Sequence, residues 1–269
     1  MKRIIGKTVG CGLALLISAG LAVAQTDKKQ EKPTGKLVKG SEVVGAKLFD
    51  QKGNHIGEID DVLFDENTGG LTHAIVAVGD WLGIGGKDSA VPWKFVHPSR
   101  DKAHEFVLAL EQSKLRDSGN FDRGKWPNFD QAWFNNNYTH YGLKAPANAK
   151  LVRANQAIGA KVFDQHGTQM GSINNLLMHP SSGRVAYATL DIGQYVDKGD
   201  NLTNVPWNLV RQSKKDTPGF VVNADKAKLQ GATYFSRSDW PDYDEWGWQT
   251  NTYGYYGYEP YWTHPMIYY

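Results

Sequence analysis

The sequence is nearly devoid of cysteine, and its single thiol, Cys11, lies in an apolar N-terminal segment. This segment begins with the basic residues Lys2 and Arg3, continues with an apolar or small-residue stretch over residues 9–23, and ends in Ala-Val-Ala. Such an order is typical of a secretory signal peptide, which we predict over residues 1–24. Its removal leaves no thiol for a disulfide or a thiolate metal ligand, so we expect burial alone to stabilise the fold.

The rest of the sequence lacks a second long hydrophobic run. No stretch after residue 24 approaches the roughly 18 apolar residues that a membrane span requires. We therefore expect no membrane span once the signal is removed, and a periplasmic or secreted location.

A strong excess of either charge is also missing, with 30 Lys and Arg against 28 Asp and Glu. Removal of the predicted signal takes away Lys2, Arg3 and Lys7, which leaves 27 basic against 28 acidic residues and a net charge of −1. Because nucleic-acid backbones bind broad positive fields, we expect no nucleic-acid partner.

Catalytic motifs are absent from the sequence as well. The serine-nucleophile pattern Gly-x-Ser-x-Gly does not occur. No two of the eight histidines have the i, i+4 spacing of a helical metal or protease motif, so we assign them surface or turn roles. We predict no catalytic residue, no cofactor, no metal ligand and no enzymatic activity.

One acidic cluster, Glu58, Asp60, Asp61, Asp65 and Glu66 together with Asn67, could offer oxygen ligands to Ca²⁺. Its spacing does not match a helix–loop–helix calcium loop. We interpret it as a solvated strand and turn, with a cation site as the alternative.

An internal repeat dominates what is present. Residues 45–51, Gly-Ala-Lys-Leu-Phe-Asp-Gln, recur 114 positions later as Gly-Ala-Lys-Val-Phe-Asp-Gln at residues 159–165. The same offset relates Val-Pro-Trp at residues 91–93 to residues 205–207, and Trp-Pro at residues 126–127 to residues 240–241. This ungapped agreement indicates a duplication. We call residues 41–142 copy 1 and residues 155–256 copy 2.

Each copy consists of short apolar or alternating runs separated by Gly, Asx and Pro residues, which is typical of a small antiparallel β-barrel. The predicted strands of copy 1 are residues 43–49, 55–64, 71–78, 89–96 and 105–110. Those of copy 2 are residues 157–163, 169–178, 185–192, 204–210 and 219–223. Since proline cannot donate to a strand ladder, we expect a strand to start at Pro92 and at Pro206, or to lie at a sheet edge.

The repeated unit resembles a PRC-barrel domain. The resemblance rests on Gly-Ala-Lys-Leu-Phe-Asp at residues 45–50, Ile-Gly-Glu-Ile-Asp-Asp-Val-Leu-Phe-Asp at residues 56–65 and Ala-Val-Pro-Trp at residues 90–93. It implies an all-β protein of two tandem PRC-type barrels with short helical or irregular C-terminal extensions. It also implies assembly or binding modules without shared catalytic residues.

The remaining composition sets the boundaries between segments. We predict a flexible leader over residues 25–40, rich in Lys, Gln and Thr, and a linker over residues 143–154. The barrels span residues 41–115 and 155–229, and the Trp-Pro extensions span residues 116–142 and 230–245. The tail, residues 246–269, is rich in Tyr, Trp and Gly, and either covers a barrel or is exposed.

Four repeated tryptophans are the candidate interaction or structural residues: Trp93, Trp126, Trp207 and Trp240. We expect the Trp-Pro segments to fold back and seal an open end of each barrel, with an exposed aromatic platform for a sugar or peptide as the alternative.

The sequence therefore predicts an exported, non-enzymatic module that binds a protein or another envelope component. The alternative function is a periplasmic protein that binds a small ligand or a divalent metal, through the acidic cluster or a cleft between the barrels.

Overall fold

The computed structural model describes residues 35–213 and 218–263. The predicted signal peptide and residues 25–34 of the predicted leader lie outside the described residues, as do residues 264–269 of the tail. Within these limits, no helix has the length and apolar character needed to cross a membrane.

The first half of the described chain contains eight strands and four helices. The strands are β1 Val38–Lys39, β2 Lys47–Asp50, β3 His55–Asp65, β4 Leu71–Ala77, β5 Lys87–Pro92, β6 Val96–Pro98, β7 Glu105–Leu108 and β8 Phe121–Asp122. The helices are α1 Gly40–Val43, α2 Gly79–Leu82, α3 Gln112–Arg116 and α4 Gln131–His140.

The second half repeats this order of strands, but it has turns where copy 1 has α2. Its strands are β9 Leu151–Arg153, β10 Lys161–Phe163, β11 Gln169–His179, β12 Arg184–Asp191, β13 Leu202–Pro206, β14 Val210–Gln212, β15 Phe220–Val222 and β16 Tyr234–Phe235. Its helices are α5 Ala154–Ala157, α6 Lys226–Gln230 and α7 Trp246–Tyr256. Short 3₁₀ turns lie at Trp93–Phe95, Pro180–Ser182, Trp207–Leu209 and Tyr261–Thr263.

The two copies form sheets of identical topology. The strand order is β6-β7-β2-β3-β4-β5-β8 in copy 1 and β14-β15-β10-β11-β12-β13-β16 in copy 2. The β2–β7 and β10–β15 pairs are parallel, and the others along these paths are antiparallel. The prediction of an all-β tandem repeat is thus confirmed.

A glycine in each long strand permits a close approach of the neighbouring strand. Gly57 has a φ of 151°, and a Cβ atom at this position would collide with the Ala77 carbonyl. Gly171 has a φ of 158° and stands in the same relation to the Asp191 carbonyl. Only glycine fits both the torsion and the contact, which explains its presence in both copies.

The predicted strand over residues 89–96 is two strands, because the chain turns at Trp93–Phe95. The expectation that a strand starts at Pro92 or Pro206 is wrong, since each proline ends its strand instead. The alternative of an edge position holds, because each proline has a strand partner on one side only. The φ of Pro92 is −53°, a value that suits the step from an extended strand into a 3₁₀ turn.

Alternation along the strands divides each sheet into two faces. Val62 and Phe64 point into the main core, which runs continuously through both copies. Leu63, between them, points to the opposite face, where it packs with Ile75 and Ala90. Each sheet therefore needs apolar cover on its outer face as well as a filled interior.

The segment after each barrel supplies that outer cover. Helix α4 lies on copy 1, where the Tyr138 hydroxyl donates to the Thr72 carbonyl at 3.0 Å. Helix α7 lies on copy 2, where the Tyr253 hydroxyl donates to the Ala186 carbonyl at 2.9 Å. The expected seal at an open barrel end is wrong in position, because these segments cover a sheet face, and residues 246–263 of the tail belong to that cover.

The strand that precedes each copy pairs with the other copy. Strand β1 joins β11 of copy 2, with Val38 opposite Met178. Strand β9 joins β3 of copy 1, with Val152 opposite Phe64. The predictions of a flexible leader and linker are therefore wrong for residues 37–40 and 151–154, because strand pairing and burial order them.

Candidate functional site

The junction between the copies contains two of the predicted tryptophans. The Trp93 indole N–H donates to the Pro180 carbonyl at 3.1 Å, and the Trp207 indole N–H donates to the Glu66 carbonyl at 2.9 Å. These two bonds are related by the repeat offset, so each copy inserts the same side chain into the other. Both rings are buried, which places these residues in a structural contact between the copies.

Backbone hydrogen bonds at the junction follow the same reciprocal pattern. The Leu71 N–H donates to the Gly183 carbonyl at 2.8 Å, and the Val185 N–H donates to the Gly69 carbonyl at 2.7 Å. Since each pair exchanges roles under the repeat offset, the copies meet with an approximate two-fold relation, as the subunits of a symmetric dimer do.

Asp61 of the acidic cluster fastens strand β9 and helix α5 to copy 1. Its carboxylate accepts hydrogen bonds from the Arg153 Nε at 2.9 Å and the Asn155 backbone N–H at 3.1 Å. Burial raises the pKa of Asp61, while these hydrogen bonds and the Arg153 charge act in the opposite direction. The repeat counterpart, Asn175, accepts from the Ser41 backbone N–H at 3.3 Å, so an equivalent hydrogen bond holds helix α1 against copy 2.

Two further acids of the cluster also serve the junction. Asp65 accepts from the Lys150 backbone N–H at 3.0 Å, and Glu66 accepts from the Gln212 backbone N–H at 2.5 Å. The expectation of a solvated strand and turn is therefore wrong for Asp61, Asp65 and Glu66, which are buried because donors from elsewhere in the chain surround them. The described part of the chain contains no group of three or more acidic or histidine side chains arranged to hold a metal ion.

His73 and His179 are also buried, so the expectation of a surface role is wrong for both. The expected turn role holds for His179, because its ring caps the turn at Pro180–Ser182. The His73 ring lies between the Thr72 hydroxyl and the Asn137 side-chain oxygen, each at 3.1 Å. Burial lowers the pKa of His73 to about 3, and that of His179 to about 4. Both are therefore neutral near pH 7, and His73 packs α4 against its sheet.

The other two predicted tryptophans contact β9 and β1, which we call the exchanged strands because each precedes one copy and pairs with the other. The Arg153 guanidinium of β9 lies 3.8 Å from the centre of the Trp126 ring, and the Lys39 ammonium of β1 lies 4.0 Å from the centre of the Trp240 ring. Arg153 and Lys39 are repeat counterparts. Each half-buried tryptophan thus carries a cation on its ring, which favours a structural role over a free aromatic platform.

A cleft of about 600 Å³ opens beside the junction. Residues that precede copy 1, the β6–β7 loop and the turn at Pro180–Ser182 form its walls. Lys36, Arg100, Lys102 and His104 line the cleft and are exposed, while Val43 and Phe106 are buried against it. Its acids are paired, Glu105 with Lys102 at 3.5 Å and Glu42 with His104 at 4.0 Å. Sequence reasoning proposed a cleft between barrels but could not assign these residues, because the strand exchange brings them together.

Two interlocked sheets of the same topology, each with a covering helix, define the class as a tandem β-barrel protein. The chain belongs to the PRC-barrel domain family, whose sequence description matches residues 36–108 and 150–229. Both matches begin just before the exchanged strands, so those strands are the first of each domain. Domains of this family are generally non-catalytic binding modules. A search of curated proteins found no match.

Proposed function

We propose that the protein is an exported, non-enzymatic scaffold that binds a partner protein or another envelope component in the periplasm or outside the cell. Export rests on the sequence of residues 1–24, and the binding role rests on the family and on the cleft.

The observation that carries this proposal is the reciprocal exchange of β1 and β9. A covalent linker alone would let two barrels move independently, whereas exchanged strands and buried indole hydrogen bonds fix their relation. A fixed relation preorganises any surface that both copies build, which reduces the entropy lost when a partner binds. The cleft is such a surface.

The chemistry of the cleft favours an acidic segment of the partner. Exposed Lys36, Arg100 and Lys102 outnumber Glu42 and Glu105 among the residues that line its partly apolar surface, and Glu105 already pairs with Lys102. An extended partner segment with acidic and apolar residues would complement both features.

The experiment is crosslinking in cells followed by mass spectrometry of the bound proteins. The double variant Arg100→Glu with Lys102→Glu reverses charge in the cleft, and Lys47→Glu with Lys52→Glu reverses the same charge at exposed positions on copy 1 outside it. We expect the first variant to lose a partner that the second retains. Equal recovery by both, or no recovered envelope component with the unaltered protein, would contradict the proposal.

The alternative, a small-ligand protein, is supported by the volume of the same cleft, which lies within the usual range of ligand pockets. A rise in melting temperature with a small dicarboxylate such as succinate, abolished by Arg100→Glu, would favour it over protein binding. The divalent-metal version lacks support from the acidic cluster, because Asp61, Asp65 and Glu66 already bind protein donors.

A further inference from the structure

A second cavity, of about 280 Å³, lies in copy 2 beneath helix α7. Its walls are aromatic and come from Phe235, Trp248, Tyr255 and Tyr256. Trp248 is held by ring contacts with Tyr187 and Tyr243, and the Tyr255 hydroxyl donates to the Lys228 carbonyl at 2.6 Å. These contacts fix the walls before any ligand arrives.

Asn204 also lines this cavity, and it is only 4 % exposed. Its side-chain oxygen accepts from the Thr189 hydroxyl at 2.6 Å. Its Nδ2 has no hydrogen-bond acceptor of ordinary geometry. Burial raises the pKa of Tyr243, and the neighbouring Asn204 amide partly offsets that rise, so the phenol is close but not a satisfying partner. A buried amide donor without an acceptor destabilises a fold unless a ligand or water supplies one.

Copy 1 shows that the fold does not require this polar pair. The counterparts of Asn204 and Thr189 are Ala90 and Ile75, which are buried beneath the aromatic rings of Trp126, Phe129 and Trp133. Apolar residues beneath an aromatic cover are therefore sufficient to close this sheet face. The polar residues Asn204 and Thr189 occur in copy 2 alone, which points to a use other than stability.

We propose that this cavity binds a single ring of a neutral saccharide. A pyranose presents C–H faces that pack on aromatic rings and ring-edge oxygens that accept from an amide such as Asn204 Nδ2. None of the residues that line the cavity carries a charge, which favours a neutral ligand. Asn251, exposed at the rim on α7, is placed to meet an outer hydroxyl.

The test is saturation-transfer NMR of the full mature chain with N-acetyl-D-glucosamine, whose acetamide adds a strong acceptor. We expect transfer to the ring and methyl protons, with a dissociation constant on the order of 1 mM. Asn204→Ala, which installs the residue of copy 1, should weaken binding about tenfold. Tyr255→Ala, at the position that is 37 % exposed, should also weaken binding without loss of the fold.

The matched control uses the repeat itself. Asn251→Ala should weaken binding, whereas Asn136→Ala, at an exposed position of α4 in copy 1, should leave it unchanged. Absence of transfer up to about 50 mM sugar would overturn the proposal. Binding of p-cresol that Asn204→Ala leaves unchanged, with no sugar binding, would likewise overturn it by assigning an apolar pocket.

Discussion

Copies 1 and 2 share a topology but cover their outer faces differently. In copy 1, the His73 ring donates a hydrogen bond to the Asn137 side-chain oxygen of α4, and the sheet face beneath this helix is otherwise apolar. In copy 2, Tyr187 takes the place of His73 and packs against Trp248 and Tyr253 of α7, over the polar Asn204. The junction, in contrast, uses the same paired tryptophans and the same reciprocal backbone hydrogen bonds in both copies. Duplication has preserved these contacts between the copies and changed the residues that cover the outer faces.

The largest effect is expected at the preserved junction. Trp207→Ala removes a ring that is 1 % exposed, contacts Phe64 and donates to the Glu66 carbonyl. We expect a loss of about 3–5 kcal/mol in the free energy of unfolding, measured by urea denaturation. Trp93→Ala should cost a similar amount, because it occupies the equivalent place. A loss below about 1 kcal/mol for either would contradict equal roles in the junction.

The pH dependence of the free energy of unfolding should distinguish the α4 cover of copy 1, which contacts His73, from the α7 cover of copy 2. The folded pKa of His73 lies near 3, below the unfolded value of 6.5, so its stabilising effect is present above pH 6.5 and is lost as the pH falls toward 3. Between pH 6.5 and 4.5 this loss should reach about 2–3 kcal/mol. His73→Gln keeps an amide near Asn137 without titrating, and should remove that part of the pH dependence.

His179→Gln is the control for this measurement in copy 2. The pKa of His179, near 4, adds a separate loss in the free energy of unfolding over the same pH range. Unfolding free energies of the two variants and their parent from pH 4.5 to pH 7 should show that each variant removes about one proton from the linkage. An unchanged slope in His73→Gln would mean that the ring is not neutral and buried in the folded state.

Substitutions in the two exchanged strands, β9 and β1, should lower the free energy of unfolding by different amounts. Arg153→Ala removes the cation on Trp126 and also leaves Asp61 buried without its charged partner, so we expect a loss of about 2–3 kcal/mol. Lys39→Ala removes only the cation on Trp240, and its copy has the neutral Asn175 at that place, so a loss of about 0.5–1 kcal/mol is expected. Equal losses in urea denaturation would refute the role assigned to Asp61.

The sequence was sufficient for the repeat, the strands and the family, because alternation and glycine spacing act locally. It was insufficient for the exchange, because β1 contains two residues and its partner Met178 is distant in sequence. The burial of Asp61 was unpredictable for the same reason, since its donors Arg153 and Asn155 come from the segment that precedes copy 2. His73 did carry a signal, because it occupies an apolar strand, but its partner Asn137 lies on a helix that lacks a clear apolar pattern.

The most direct test of the exchange is to cut the chain between the copies. A protease site inserted between Ala147 and Asn148, in an exposed turn, separates the half that contains β1 from the half that contains β9 without touching either strand. We predict that the cleaved halves elute together in size-exclusion chromatography and unfold in one cooperative transition. Elution as two separate species with independent transitions would contradict reciprocal exchange.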